Sequence, residues 1–234
     1  SGYGTFTAFA AGGSHSCAIA TDHTITCWGA NLGVSGNMAD NMFNAVAASR
    51  FFACAIDGDQ TITCMGGSYD DEEEATDGTF VAIAAGQYHF CAIATDQTIS
   101  CWGSNEYGQT DAPTGTFTDI AAGLFHLCAI ATDQIITCWG ENYYRQLNPP
   151  DATFVAIAAG GGHTCAIKTN LRIACWGIPR HSWANLPIGT YIAIAAGHSH
   201  TCAIATDQTI TCWDWTTNLP NGVFWLSKEA ITGG

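Results

Sequence analysis

The chain has 234 residues, with 6 Lys and Arg set against 20 Asp and Glu, a formal charge of −14. That length is enough for a well-buried core, and so few cations exclude a groove that tracks the phosphates of a nucleic acid. Hydrophobic residues make up 47% of the chain. They come in short runs broken by Gly, Thr, Asp or His, and none reaches the roughly 20 apolar residues of a membrane span.

The first residues, Ser-Gly-Tyr-Gly, carry neither a basic nor an apolar leader segment. We read this as a mature chain from which any secretory signal has been removed. No Asn-x-Ser/Thr sequon occurs. The 12 cysteines fall into two series, Cys17, Cys54, Cys91, Cys128, Cys165, Cys202 and Cys27, Cys64, Cys101, Cys138, Cys175, Cys212, each stepping by 37 residues without insertion or deletion. Six copies of a 37-residue repeat therefore fill almost the whole chain, and the period dictates the architecture.

Each copy contains three strand patterns. In the third, Thr79 to Ala85 alternates about β-branched and aromatic residues, His89 to Thr95 is short and apolar, and Thr98 to Trp102 alternates again. Gly86 and Thr95-Asp96-Gln97 are the breaks, and no stretch carries a helical stripe. Short antiparallel strands of this kind cannot bury two faces alone, so the copies must stack, and radial stacking gives a β-propeller. The expected fold is thus all-β, a single domain over residues 1–234 with six blades.

In the first copy Cys17 and Cys27 stand five residues to either side of the turn residue Asp22. Directly opposed hairpin residues lie within disulfide range, so Cys17–Cys27 and its five equivalents are expected to staple the second strand to the third in every blade. Metal binding is the weaker alternative, because zinc sites use close C-x2–4-C pairs that are missing here. At the C-terminus, Glu229-Ala-Ile-Thr-Gly-Gly matches the Thr-Ala-Phe-Ala-Ala-Gly that ends at Gly12. Residues 227–234 read as a partial repeat acting as a closing strand on a six-blade ring; seven blades, one incomplete, is the alternative.

The motif HTCAIATDQTITCW, with its preceding IAIAAG, resembles the repeat of the regulator of chromosome condensation propeller superfamily. The cysteine-bearing version resembles repeats in crinkly-type plant receptor kinase ectodomains and in many secreted bacterial proteins. The resemblance runs from about Thr5 to Trp213 and implies the propeller fold. It implies little about function, because the superfamily holds exchange factors, photoreceptors, inhibitors and receptor ectodomains.

In a propeller blade the end of strand one, the start of strand two and the end of strand three share one edge, and these edges form one face. That face carries the variable dipeptides Gly13-Ser14, Arg50-Phe51, Gln87-Tyr88, Leu124-Phe125, Gly161-Gly162 and His198-Ser199. The Thr-Asp turns on the other face hardly vary. Loops on a rigid scaffold are where recognition resides, so the variable face is the candidate binding face. Its candidate ligand-binding residues are Arg50, Phe51, Tyr69, Gln87, Tyr88, Tyr107, Phe125, Tyr143, Tyr144 and Arg145. Flat apolar rings beside hydrogen-bonding tips suit a sugar or a protein hot spot. The alternative is that the aromatics plug the mouth of the channel.

Copy two departs most, with Ser49 for Gly, Phe52 for His, Met65 for Trp, and the acidic run Asp70 to Glu74. Those carboxylates lack the spaced ligands and turn glycine of a calcium loop and read as a solvated loop rather than a Ca²⁺ site. His15, His89, His126, His163 and His200 recur at one position and read as structural hydrogen-bonding groups. Trp28, Trp102, Trp139, Trp176 and Trp213 read as packing between blades, whereas Trp183 and Trp215 fall outside the pattern.

No nucleophile elbow, phosphate loop or HExxH motif is present. The expectation is a secreted, non-catalytic binding protein without cofactor or metal, whose ligand is a glycan or an extracellular protein. Carbohydrate recognition leads narrowly, a protein-binding inhibitor or receptor module follows, and a structural or adhesive module is third.

Overall fold

The computed structural model describes residues 5–29, 42–66, 77–178 and 186–214. Tyr69, the acidic run 70–74, Trp183, Trp215 and the closing segment 227–234 lie outside these residues.

Alternating β-branched and aromatic residues broken by Gly and Thr-Asp turns give eighteen strands among the described residues. The first sheet holds β1 (Phe6–Ala11), β2 (His15–Ala20) and β3 (Ile25–Gly29), and the second β4 (Phe43–Ala48), β5 (Phe52–Asp57) and β6 (Ile62–Gly66). The third comprises β7 (Phe80–Ala85), β8 (His89–Ala94) and β9 (Ile99–Gly103), and the fourth β10 (Phe117–Ala122), β11 (His126–Ala131) and β12 (Ile136–Gly140). The fifth is β13 (Phe154–Ala159), β14 (His163–Lys168) and β15 (Ile173–Gly177), and the sixth β16 (Tyr191–Ala196), β17 (His200–Ala205) and β18 (Ile210–Asp214). Each sheet is an antiparallel meander of three strands, with no crossover between sheets. These are six blades of a propeller, and the described residues contain no helix.

The hairpin register puts the cysteines of each blade directly opposite one another, as Cys17 to Cys27 and Cys128 to Cys138. All six blades carry the disulfide, with S–S distances from 1.99 to 2.07 Å, and no cysteine is free. The spacing argument and the pairing agree in every blade.

The turn joining strands two and three explains why the Thr-Asp sequence hardly varies. In the first blade the Asp22 carboxylate accepts the Thr24 N–H at 3.1 Å and its hydroxyl at 2.7 Å, closing an Asx turn. The residue between them takes the left-handed conformation, at His23, Gln60, Gln97, Gln134, Leu171 and Gln208.

Apolar burial lies mainly between blades. Phe80 and Ile83 of the third sheet sit with Phe52, Cys54 and Ile56 of the second, and Phe154 and Ile157 of the fifth sit with Cys128 and Ile130 of the fourth. Burial of one such side chain stabilises the fold by about 2 kcal/mol, so each blade depends on its neighbour. Trp102, Trp139 and Trp176 share this packing. Trp28 does not: it is half exposed, against the expectation for the series.

The recurrent histidines also join blades. His126 Nε2 lies 2.9 Å from the Thr164 hydroxyl, His163 Nε2 lies 2.9 Å from that of Thr201, and His15 Nε2 lies 3.2 Å from the Phe52 carbonyl. Each partner belongs to the next sheet. The imidazole rests on the glycine that ends strand one, so a Cβ at Gly86, Gly123, Gly160 or Gly197 would meet the ring. In the second blade Phe52 replaces the histidine and Ser49 the glycine, and the Ser49 Oγ accepts the Phe52 N–H at 3.2 Å. The two departures in copy two fall at positions that touch in the other blades. His200 is exposed, unlike its four counterparts.

Candidate recognition face

The dipeptides after strand one lie where neighbouring blades meet at the channel. Their backbones are tied from blade to blade, with Arg50 N–H donating to the Gln87 carbonyl at 3.1 Å and Gln87 N–H to the Leu124 carbonyl at 3.1 Å. Such a ring fixes the direction of each side chain. First members Arg50, Gln87, Leu124 and His198 line a cavity of about 370 Å³ at the channel mouth, together with the Ala-Ala-Gly ends of the strands.

The second members, Phe51, Tyr88 and Phe125, are not part of that lining and run beside the mouth as a ladder. Phe51 and Tyr88 have ring centroids 6.0 Å apart, Tyr88 and Phe125 are stacked at 6.5 Å, and Tyr107 tilts against Phe125 at 5.3 Å. Phe51, Tyr88 and Phe125 are half-buried, while Tyr107 is exposed. The ladder therefore spans three consecutive blades, borders the mouth and leaves it open.

Arg50 is built into the ladder. Its guanidinium carbon stands 5.1 Å from the Phe51 centroid and 5.8 Å from that of Tyr88, and its Nη1 donates to the Tyr88 hydroxyl at 2.6 Å. Stacking and a hydrogen bond together hold the exposed cation against flat apolar surface. Gln87 Nε2 approaches the same hydroxyl at 3.5 Å, the far limit of a hydrogen bond.

Tyr143 and Tyr144 form a separate edge-to-face pair at 4.8 Å. A Cβ at Gly162 would come within 2.8 Å of the Tyr144 ring, so the glycine dipeptide of the fifth blade is the seat of that ring. No ring contact joins this pair to the ladder among the described residues. Arg145 is exposed in a left-handed turn beside it. Nine of the ten candidate residues are thus placed on one face in two groups, and Tyr69 lies outside the described residues.

The loops carrying Tyr107 and Tyr144 owe their shape to residues that composition did not single out. Gln109 and Gln146 are fully buried, and their side-chain oxygens accept the N–H of Tyr107 and of Tyr144, both at 2.8 Å. Their own carbonyls accept the indole N–H of Trp139 at 2.9 Å and of Trp176 at 2.8 Å, pinning each loop to the next blade. Asn105 and Asn142 cap the same loops by accepting the Thr110 and Leu147 N–H groups at 3.0 and 3.1 Å. The signal was present as Asn-Glu-Tyr-Gly-Gln and Asn-Tyr-Tyr-Arg-Gln, one period apart.

The strongly shifted ionisable groups are structural and lie away from the ladder. Burial lowers His89 to about 4, His126 to about 3 and His163 to about 4. Burial raises Asp119 to about 6, against the backbone N–H groups of Ile120 and Ile157 that favour its charged form. Among the described residues no three His, Cys, Asp or Glu side chains gather as a metal site. No described helix is long and apolar enough to cross a membrane.

The model of the Regulator of chromosome condensation (RCC1) repeat matches residues 6–32, 80–109 and 117–146, which are the first, third and fourth copies. No curated protein sequence matches the chain. Among solved structures, the CRINKLY WD40 ectodomain of the Arabidopsis thaliana receptor kinase ACR4 superposes with a TM-score of 0.78 at 23% identity, over 95% of this chain and 84% of that one. The entire ectodomain of the Physcomitrella patens receptor kinase CR4 gives 0.81 at 23% identity, over 95% and 68%. Yeast RCC1 (Prp20), solved bound to Kap60, gives 0.74 at 16% identity, over 88% and 69%. Three of the six copies therefore match the RCC1 repeat, and the chain folds as these propellers do.

Proposed function

We propose that this propeller is a non-catalytic recognition module that binds a protein through its variable face, in an oxidising, extracellular setting. The observation that carries the reading is the continuous ladder of Phe51, Tyr88, Phe125 and Tyr107 with Arg50 pinned on it. Aromatic rings and arginine are the residue types that dominate protein hot spots, and rigid loops lower the ordering cost of binding. The ladder is confined to three blades, which suits one asymmetric partner rather than a ligand repeated around the ring. On a chain of charge −14, Arg50 is the group that would engage a partner's carboxylate.

Related propellers support the reading by analogy. Yeast RCC1 was solved bound to Kap60, and the study of Prp20p concerned its binding to Gsp1p and histones. Six disulfides and the likeness to receptor-kinase ectodomains support an extracellular setting.

Carbohydrate binding is the second reading. It is favoured by Tyr143, whose ring is 80% exposed beside Tyr144 and Arg145. A glycan array separates the two readings, using the oxidised protein, a Phe51→Ala/Tyr88→Ala/Phe125→Ala variant and a Tyr143→Ala variant. Protein recognition expects no saturable glycan signal in any of the three. A specific signal lost in either variant would replace it with a lectin.

A further inference from the structure

Arg50 belongs to the channel mouth and to the aromatic ladder at once. Its stem rests on the first blade, where a Cβ at Gly13 would come within 3.0 Å of the Arg50 Cγ. Its backbone N–H is tied to the third blade through the Gln87 carbonyl at 3.1 Å, and its Nη1 to the Tyr88 hydroxyl of that blade at 2.6 Å. The guanidinium is thus held from both neighbouring blades, so little side-chain freedom is left to lose when a ligand binds. These contacts are all to neutral groups. Among the described residues no Asp or Glu lines the mouth.

The polar groups gathered at Arg50 are mainly donors. A guanidinium has no acceptor. The Tyr88 oxygen accepts from Arg50 and is approached by Gln87 Nε2 at 3.5 Å, so the phenol keeps its own proton to donate. A cluster rich in donors that carries one full positive charge suits a carboxylate over the isosteric amide. Apolar surface flanks the cluster on both sides, with Phe51 on one and Phe125 and Tyr107 beyond Tyr88 on the other.

Charge sets the number of carboxylates. The chain carries −14, so an acidic run would be repelled by the protein as a whole, whereas one carboxylate among apolar residues meets the local cation with far less repulsion. On the footing that this face binds a protein, we propose that the ladder selects a chain segment in which a single Asp or Glu stands between two apolar residues. Its carboxylate sits at the mouth on Arg50 and Tyr88, with Gln87 beside them, and its apolar neighbours lie on Phe51 and on Phe125. A free C-terminus has chain on one side only and would leave half of the ladder uncovered.

Selection from a random linear peptide library on the oxidised protein tests this, with enriched peptides remade with blocked ends and titrated by fluorescence anisotropy. The peptides are expected to carry one acid between apolar residues. Replacing that acid by its amide should weaken binding to the wild type at least about tenfold, and to Arg50→Gln less than about twofold. Tyr88→Phe, which keeps the ring, should give an intermediate loss and carries the test if Arg50→Gln lowers the unfolding midpoint. Peptides that need Phe51 and Phe125 but tolerate the amide would overturn the proposal while leaving protein recognition by the ladder in place. Peptides that bind only with a free C-terminus, or no enrichment at all, would overturn it equally. Binding untouched by Phe51→Ala, Phe125→Ala and Arg50→Gln would overturn it together with the reading of the ladder as the protein-binding surface.

Discussion

His126 Nε2 and the Thr164 hydroxyl lie 2.9 Å apart across the junction of the fourth and fifth blades, both buried. The hydrogen bond satisfies a polar atom that the junction has removed from water, and burial keeps the imidazole neutral. Thr164→Val keeps the volume and removes the partner. The expected cost is about 1–3 kcal/mol, measured by denaturant unfolding. A change within a few tenths of a kcal/mol would mean the bond contributes nothing.

Acid should loosen the junctions through the same residues. His89, His126 and His163 have folded values of about 4, 3 and 4, below the ordinary 6.5. For a lowered value, the unfolded chain takes up protons first, so the stability is full above about pH 6.5 and declines as pH falls toward 4. Unfolding midpoints measured from pH 7.5 to 4 should fall over that window. A flat profile would contradict neutral, buried histidines.

Asp119 works in the opposite direction. Its value is raised to about 6 by burial, so its contribution is present below the unfolded value near 3.8 and is lost as pH rises through 6. Asp119→Asn removes the charge and keeps an acceptor for the Ile120 N–H, bonded at 2.9 Å. The variant should gain up to about 3 kcal/mol at pH 7.5, at roughly 1.4 kcal/mol per pK unit, and almost nothing at pH 4. Equal effects at both pH values would refute the assignment.

The paired departure in the second blade suggests a double-mutant cycle in the third. Gly86→Ser alone places a Cβ against the His89 ring and should cost more than about 2 kcal/mol. Adding His89→Phe reproduces the Ser49 and Phe52 pair. The double variant should recover at least about 1 kcal/mol relative to additivity, and strict additivity would show that the two positions are independent.

Each disulfide closes a short loop, with cysteines 10 residues apart. Replacing Cys128 and Cys138 together by Ser should cost about 2–3 kcal/mol. Thiol titration of the unfolded, unreduced wild type should detect almost no free thiol.

The strands and disulfides were legible because both depend on local periodicity. In the third copy the expected strands 79–85, 89–95 and 98–102 correspond to β7 Phe80–Ala85, β8 His89–Ala94 and β9 Ile99–Gly103. The hairpin register followed from counting outward from one turn. Contacts between blades were harder to read, since they join residues about 37 apart through the curvature of the ring. The His126–Thr164 bond, the Gln109–Trp139 anchor and the exposure of Phe9 and Trp28 all belong to this class. Repeat alignment placed the candidate residues in loops, but their division into a Phe51–Tyr88–Phe125–Tyr107 ladder and a separate Tyr143–Tyr144 pair depends on side-chain direction, which spacing does not specify.

The central claim is that the ladder face engages a protein. The most direct measurement is site-specific photo-crosslinking in the native extracellular fluid, with the reactive group at Tyr107 on the ladder face or at Thr132 on the turn face, each with and without Arg50→Gln and Tyr88→Ala. The account expects a discrete protein adduct from Tyr107, none from Thr132, and loss of the adduct when Arg50 and Tyr88 are replaced in a protein with unchanged unfolding midpoint. Equal adducts from both faces, or an adduct that survives the replacements, would contradict it.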